Sequence, residues 1–225
     1  MSTIIKKRWT AVACSICAVA LAVAGIGAAI PSSHELNACA STEETEDCVK
    51  VFIGDTNRAP KDYAHKRTAY IKDTAAKNAD ITVEAVIGLD DYYTIEDIAS
   101  LTEAYDITIN RAYMWPKGET GRLSLYVEDG DIESSIEAYK QEVEENNYCD
   151  NATFAEDYQR FLDGEYEVFA LTVTASAEAL EALNTEADCI NYVDVMHNDE
   201  VETYAAQAGK AVSYIEFPSK PDGAH

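Results

Sequence analysis

Basic residues are scarce in this chain of 225 residues, which holds 17 lysines and arginines against 41 aspartates and glutamates. The formal net charge at neutral pH is −24. A field of this sign repels phosphate backbones and therefore argues against nucleic acid as a partner. It favours solubility, and a surface of this charge either is simply solvated or attracts cations and basic partners.

Histidine is scarcer still, and its four copies are His34, His65, His197 and His225. A serine or cysteine nucleophile would need an imidazole as its base, and no activated nucleophile can be named from the sequence. The chain also lacks the G-x-S-x-G, P-loop, H-E-x-x-H and dinucleotide-binding motifs. We therefore predict no catalytic residues and no cofactor.

Charged residues are missing from the stretch 9–30, which directly follows Lys6, Lys7 and Arg8. A helix of about 20 residues spans about 30 Å, which matches the hydrocarbon core of a bilayer. The basic trio keeps residues 1–8 in the cytoplasm, so the rest of the chain is exported. We expect a single-pass anchor in a bacterial cytoplasmic membrane, with secretion after signal-peptide cleavage as the alternative.

Six cysteines fall into two groups. Cys14 and Cys17 lie inside the apolar stretch, where they fit as small apolar residues rather than as a redox pair. On the oxidising side of the membrane an even number of cysteines predicts disulfides, and four remain: Cys39, Cys48, Cys149 and Cys189. Of the three possible pairings we favour Cys39–Cys48 with Cys149–Cys189. Zinc-ligand spacing is absent from this region, so we predict no metal site.

The exported part divides into three segments. Residues 31–80 are predicted to be an acidic spacer followed by a helical linker, and Pro60 is suited to the start of that helix. Residues 81–217 are predicted to fold as one extracytoplasmic α+β domain. Residues 218–225 contain proline and glycine and read as a C-terminal tail.

Strand and helix patterns alternate within the domain. Strand-like composition occurs in 81–89, 106–115, 122–128, 166–175, 189–196 and 211–217. Helical patterns occur in 95–105, 132–148, 152–164, 177–187 and 199–209. Thr94, Asp131 and Ser176 are placed to act as N-caps of three of these helices.

Two of the strand–helix units resemble each other. Residues 94–115 align with residues 176–197 when the chain is shifted by 82 positions, and both contain an N-cap, a short helix, an aspartate turn and a strand. Leu101 then meets Leu183, and Met114 meets Met196. Two similar β-α-β halves predict a ferredoxin-like sandwich, in which helices cover one face of a mainly antiparallel sheet.

The loop at 113–121 carries the predicted binding residues. Tyr113 and Trp115 adjoin a turn rich in proline and glycine, where they could form an exposed aromatic anchor for a protein or peptide. The alternative is an aromatic strand end that covers the core.

The C-terminal half carries a strand, the run TASAEALEAL and then YVDV, within residues 169–195, and residues 209–224 follow. This pattern resembles extracellular domains of Gram-positive bacterial membrane proteins, among them sensor domains described as anti-sigma-factor C-terminal regions. The eight residues before the apolar stretch are too few for the cytoplasmic sigma-binding domain of that family. The resemblance therefore implies an extracytoplasmic sensing or interaction module and carries over no catalytic residue.

These observations predict a membrane-anchored extracytoplasmic domain that binds a protein, peptide or envelope ligand without catalysis. A secreted or anchored hydrolase with an atypical carboxylate site is one alternative. An acidic cation-binding module is the other.

Overall fold

The computed structural model describes residues 41–59, 61–117, 121–150 and 153–221. The apolar stretch 9–30 and Cys39 lie outside these residues, so the expected membrane helix and the expected Cys39–Cys48 bond remain predictions. Of the helices that the structure describes, none combines the length and apolar character needed to cross a membrane.

The described residues form an α+β fold, as predicted. Its strands are β1 (Ser41–Glu44), β2 (Cys48–Ile53), β3 (Thr82–Tyr93), β4 (Thr108–Trp115), β5 (Leu123–Tyr126), β6 (Glu167–Ser176), β7 (Ile190–Val195) and β8 (Ala211–Glu216). Its helices are α1 (Tyr63–Lys77), α2 (Ile95–Tyr105), α3 (Ile132–Glu145), α4 (Ala155–Leu162), α5 (Ala177–Glu186) and α6 (Asp199–Ala208). A 3-10 turn covers Tyr148–Asp150.

A five-stranded sheet forms the centre, in the order β5-β4-β6-β3-β7. All of its neighbouring strands are antiparallel. Five helices cover one face of it, because each contributes a buried apolar side chain to the same core: Ile71, Ile98, Ile136, Phe161 and Leu180. The prediction of a mainly antiparallel sheet is therefore confirmed.

Helix starts follow the predicted caps. The Thr94 side chain accepts a hydrogen bond from the backbone of Asp97, and the Asp97 carboxylate accepts one from the backbone of Thr94, which together make a capping box. Asp131 caps α3 and Ser176 caps α5 through the backbone amides three residues later. Asn198 caps α6 in the same way.

A second, three-stranded sheet has the order β1-β2-β8. This sheet corrects the expectation that residues before 81 form only a spacer and a linker, because residues 41–53 contain two paired strands. The reason is the alternation in β2, where Val49, Val51 and Ile53 are buried in one cluster with Val201 of α6. The folded region therefore includes Ser41 and does not begin near Ile81.

The segment after β8 also differs from the expected tail. Ser219 is buried, and its backbone amide donates to the carbonyl of Gly54 at 2.9 Å. Pro218 and Pro221 are buried as well. Residues 217–221 thus pack against the protein and cross the sheet face opposite the five helices.

Candidate functional site

Tyr113, a predicted ligand-binding residue, is 1% exposed and belongs to a partly buried polar network. Its hydroxyl donates to the Oε2 atom of Glu216, which also accepts from Arg111 Nη1 at 3.0 Å and from Thr172 Oγ1 at 2.6 Å. Burial and then the bond to Glu216 raise the pKa of Tyr113 to about 12. Tyr113 is therefore not an exposed anchor, and the network fixes the end of β8 against the large sheet.

Glu84 lies close enough to this network for the charge of Glu216 to act on it. Partial desolvation at the sheet surface raises the pKa of the Glu84 carboxyl although the residue is exposed, and the negative charge of Glu216 raises it further. Asn110 Nδ2 lies 3.4 Å from Glu84 Oε1 and donates to Thr174 Oγ1 at 2.7 Å. The hydrolase alternative would need two carboxylates that are free to act on a substrate, but Glu216 already accepts three hydrogen bonds from groups that position a strand.

Trp115, the other predicted binding residue, is partly buried. Its ring packs on Tyr92 with a centroid distance of 4.7 Å, and the Lys220 ammonium lies 5.9 Å from its centroid. Lys220 also donates to the carbonyl of Gly121 at 3.1 Å. Trp115 therefore covers the edge of the aromatic cluster that contains Tyr113 and Phe169, which matches the strand-end alternative more closely than a free anchor.

An open groove of about 350 Å³ lies between α2 and the far end of β3. Most of its lining is apolar and aromatic: Leu89, Tyr93, Ile98, Leu101, Tyr105 and Cys189. This volume falls within the range of about 300–1,000 Å³ that is typical of sites for small ligands. The groove therefore has the size and the lining expected of a binding site.

An irregularity in β3 shapes the groove. Gly88 pairs with Ala170 and Tyr93 pairs with Val168, so four residues of β3 oppose a single residue of β6 between these pairs. The register of β3 with β7 also shifts after Gly88. Such bulges bend a strand and redirect its side chains, which here turns Leu89 and Tyr93 towards α2.

Gly88 itself is required by close packing. A Cβ atom at this position would lie 2.1 Å from a ring carbon of Tyr192. The neighbouring Tyr93 hydroxyl donates to Asp90 Oδ1 at 2.7 Å, and the Asp90 amide donates to the carbonyl of Cys189 at 3.0 Å. The turn before β7 is thereby fastened to the mouth of the groove.

Cys189 lines the groove and its thiol is free, as is that of Cys149. The expected Cys149–Cys189 bond is therefore not present in the structure. Cys149 lies in the 3-10 turn that packs on α3 and α4, whereas Cys189 faces α2. Burial raises the pKa of the Cys189 thiol, and the charges of Asp90, Asp188 and Asp97 raise it further, so at neutral pH the weakly nucleophilic thiol form dominates.

His197 is held by two carboxylates and not by a nucleophile. Its Nδ1 lies 2.6 Å from Glu202 Oε1, and its Nε2 lies 2.9 Å from Asp199 Oδ1. The hydroxyl of Tyr214 also donates to Glu202. This arrangement fixes the start of α6.

Among the described residues, no group of three or more histidine, cysteine, aspartate or glutamate side chains could hold a metal ion.

The sequence did not single out the groove. Its only local signals were Tyr93 before the Thr94 cap and the spacing of Ile98, Leu101 and Tyr105 on one helix face. That spacing is equally typical of a helix buried in the core.

No protein-family model, no curated protein and no solved structure matches the chain.

Proposed function

We propose that this protein is a non-catalytic ligand-binding domain, and that the groove beside α2 is its binding site. The single observation that carries the proposal is the open apolar groove of about 350 Å³. A concave, largely apolar surface with a few polar groups is the usual form of a ligand site. Its one thiol is a weak nucleophile at neutral pH, so its chemistry suits binding better than covalent catalysis.

The ligand class in this proposal is a protein, a peptide or a component of the cell envelope. The groove runs along α2 from Asp97 to Tyr105 and is open on its outer side. An open groove along a helix accepts an extended segment or a projecting side chain more readily than an enclosed cavity does. Peptide recognition by side chains inserted into an apolar groove is a common mode.

We also propose that the domain is exported and anchored by residues 9–30, with residues 1–8 in the cytoplasm. The support is the uncharged stretch and the basic trio before it. A phosphatase that is active only outside the cytoplasm, fused after His225, tests this location. We expect activity in whole cells, whereas a well-expressed but inactive fusion would contradict export.

The fold proposal is finer than the α+β class. We infer a ferredoxin-like sandwich, since β3-α2-β4 and β6-α5-β7 are two β-α-β units. Their strands lie in the order β7-β3-β6-β4, and β5 adds a fifth strand at one edge. In this arrangement the groove lies where α2 of the first unit faces the turn before β7 of the second.

A bead-displayed library of random hexapeptides tests the binding function with the full chain in a lipid nanodisc. Ala104 is exposed and lines the groove, so Ala104→Trp fills the site from a helix surface. Ala206→Trp places the same ring on the exposed side of α6 and is the matched control. We expect the native chain and the Ala206→Trp variant to enrich the same peptides, and we expect the Ala104→Trp variant not to enrich them. Equal enrichment by all three proteins would refute the groove as the binding site.

A further inference from the structure

Charge is distributed very unevenly around the groove. Residues 78–110 and 161–196, which contain every residue that lines it, include no lysine, arginine or histidine. The same segments contain sixteen acidic residues. All the cations of the chain therefore lie outside the two segments that build the groove.

Three carboxylates lie at the groove and have no cationic partner. Asp97 lines it directly, Asp90 accepts the hydroxyl of the lining residue Tyr93, and Asp188 precedes the lining residue Cys189. All three are exposed. None takes part in an ion pair within the described residues.

Two helix ends add to the negative potential. Tyr105 is the last residue of α2, Ala187 is the C-cap of α5, and both line the groove. The C-terminal end of a helix carries a partial negative charge, which a basic residue in the last turn commonly offsets. Neither helix has a basic residue in its last turn. The lining is thus mostly apolar, and the two segments that build it carry acidic residues but no basic ones.

We propose that the groove binds a basic peptide segment, in which one or two apolar side chains enter the groove and flanking lysines or arginines face the carboxylates. This inference rests on the proposed binding function and specifies its ligand. Asp97 lies on α2 and Asp188 lies in the turn before β7, so the two carboxylates come from different elements that border the groove. Positive charges on both sides of an apolar residue match this placement better than a single cationic head group does.

The probe is an acetylated and amidated hexapeptide with a Phe–Leu pair between two Lys–Lys pairs. Its binding to the full chain in a phosphatidylcholine nanodisc is measured by calorimetry, with empty nanodiscs as the blank. A neutral peptide replaces each lysine with serine, and a polar peptide replaces Phe–Leu with Ser–Ser. Hexyltrimethylammonium tests a small amphiphile instead of a peptide. We expect only the Phe–Leu peptide with lysines to bind strongly, and its affinity to fall as the ionic strength rises from about 0.02 to 0.2 M.

Two variants, each of which adds one positive charge, distinguish attraction at the groove from attraction by the net charge of the protein. Ser100 is exposed, lines the groove, and its hydroxyl bonds only the carbonyl of Glu96 among the described contacts. Ser100→Lys should lower the affinity for the basic peptide about fivefold at low salt, as expected for one like charge within a few ångströms. Thr203→Lys changes the net charge equally on the exposed surface of α6 and should leave the affinity unchanged.

The outcomes separate this inference from the proposed function. If the neutral peptide binds as tightly as the basic one and Ala104→Trp abolishes both, the groove is a binding site but the basic-ligand inference is wrong. If hexyltrimethylammonium binds and the peptide does not, the peptide class is wrong. If Ser100→Lys and Thr203→Lys weaken binding equally, the attraction is not local to the groove. If no probe binds and the library shows no enrichment, both proposals fail.

Discussion

Arg67 and Asp194 form a buried ion pair, in which Arg67 Nε donates to Asp194 Oδ1 at 2.7 Å. The Arg67 side chain is 5% exposed and that of Asp194 is fully buried. Asp194 Oδ2 also accepts from the Tyr63 hydroxyl at 2.6 Å and from the Gly54 amide at 2.7 Å. The pair therefore joins α1, the end of β2 and strand β7, three elements that the sequence separates widely.

Removing one member of this pair should destabilise the fold strongly. Asp194→Asn leaves the Arg67 guanidinium buried without its counter-charge, and such a loss typically costs about 3–5 kcal/mol. Tyr63→Phe removes one neutral donor from a site that keeps its ion pair and should cost about 1 kcal/mol. Chemical unfolding of the full chain in detergent micelles, followed by circular dichroism, measures both. Similar small losses in the two variants would contradict a central role for the pair.

The Glu216 network should hold β8 on the large sheet. Glu216→Gln replaces a charged acceptor of three hydrogen bonds, and bonds to charged groups contribute about 1.5–3 kcal/mol each. We expect faster amide exchange in β8 and residues 217–221. Thr172→Val removes one donor and should produce a smaller change in the same amides. Unchanged exchange in Glu216→Gln would show that β2 alone holds β8.

Glu84 gives a pH dependence whose sign can be stated. Its folded-state pKa lies above the ordinary value, so the folded state disfavours the charged form and binds the proton more tightly. The resulting destabilisation is present above the folded pKa and disappears as the pH falls below the unfolded value. Glu84→Gln should therefore stabilise the protein at neutral pH. The gain should be only a few tenths of a kcal/mol, because the side chain is exposed and solvent screens its charge.

Unfolding curves of native and Glu84→Gln proteins at several pH values test this sign. We expect the difference between them to shrink with acidification. A difference that grows as the pH falls would mean that the charged form of Glu84 is stabilised in the folded state.

Cys189 should react slowly with alkylating reagents at neutral pH, because burial and three nearby carboxylates keep its thiol protonated. Asp188→Asn removes one of these charges and should accelerate the reaction at Cys189 without affecting Cys149. Mass spectrometry of digested protein resolves the individual cysteines. A rate at Cys189 equal to that of an unperturbed cysteine, or no effect of Asp188→Asn, would contradict this electrostatic picture.

Local signals predicted much of the secondary structure. The caps Thr94, Asp131 and Ser176 were identifiable because capping depends on a side chain and a backbone amide only three residues apart. The nearly continuous apolar run of β6, in which residues 168–173 are all buried, depends equally on neighbouring residues. Such features can be predicted because all the residues that produce them lie within a few positions of one another.

Non-local pairing explains what the sequence did not reveal. Strand β2 pairs in parallel with β8, so Cys48 lies opposite Ala211. The residues around Cys48 do not indicate which strand will pair with theirs. Tyr113 was a candidate for an exposed anchor, with a core-covering strand end as the alternative, because the sequence shows its position beside a turn but not the Glu216 carboxylate of β8 that bonds its hydroxyl. The groove depends on the register shift after Gly88, which only the paired strands define.

The central claim is that a ligand occupies the groove beside α2, and protection of Cys189 tests it most directly because its side chain lines that groove. The alkylation rates of Cys189 and Cys149 are measured by mass spectrometry on the full chain, with and without a saturating amount of the lysine-flanked Phe–Leu hexapeptide. The account predicts a slower rate at Cys189 and an unchanged rate at Cys149. Binding of the peptide with no protection of Cys189, or equal slowing at both cysteines, would contradict it.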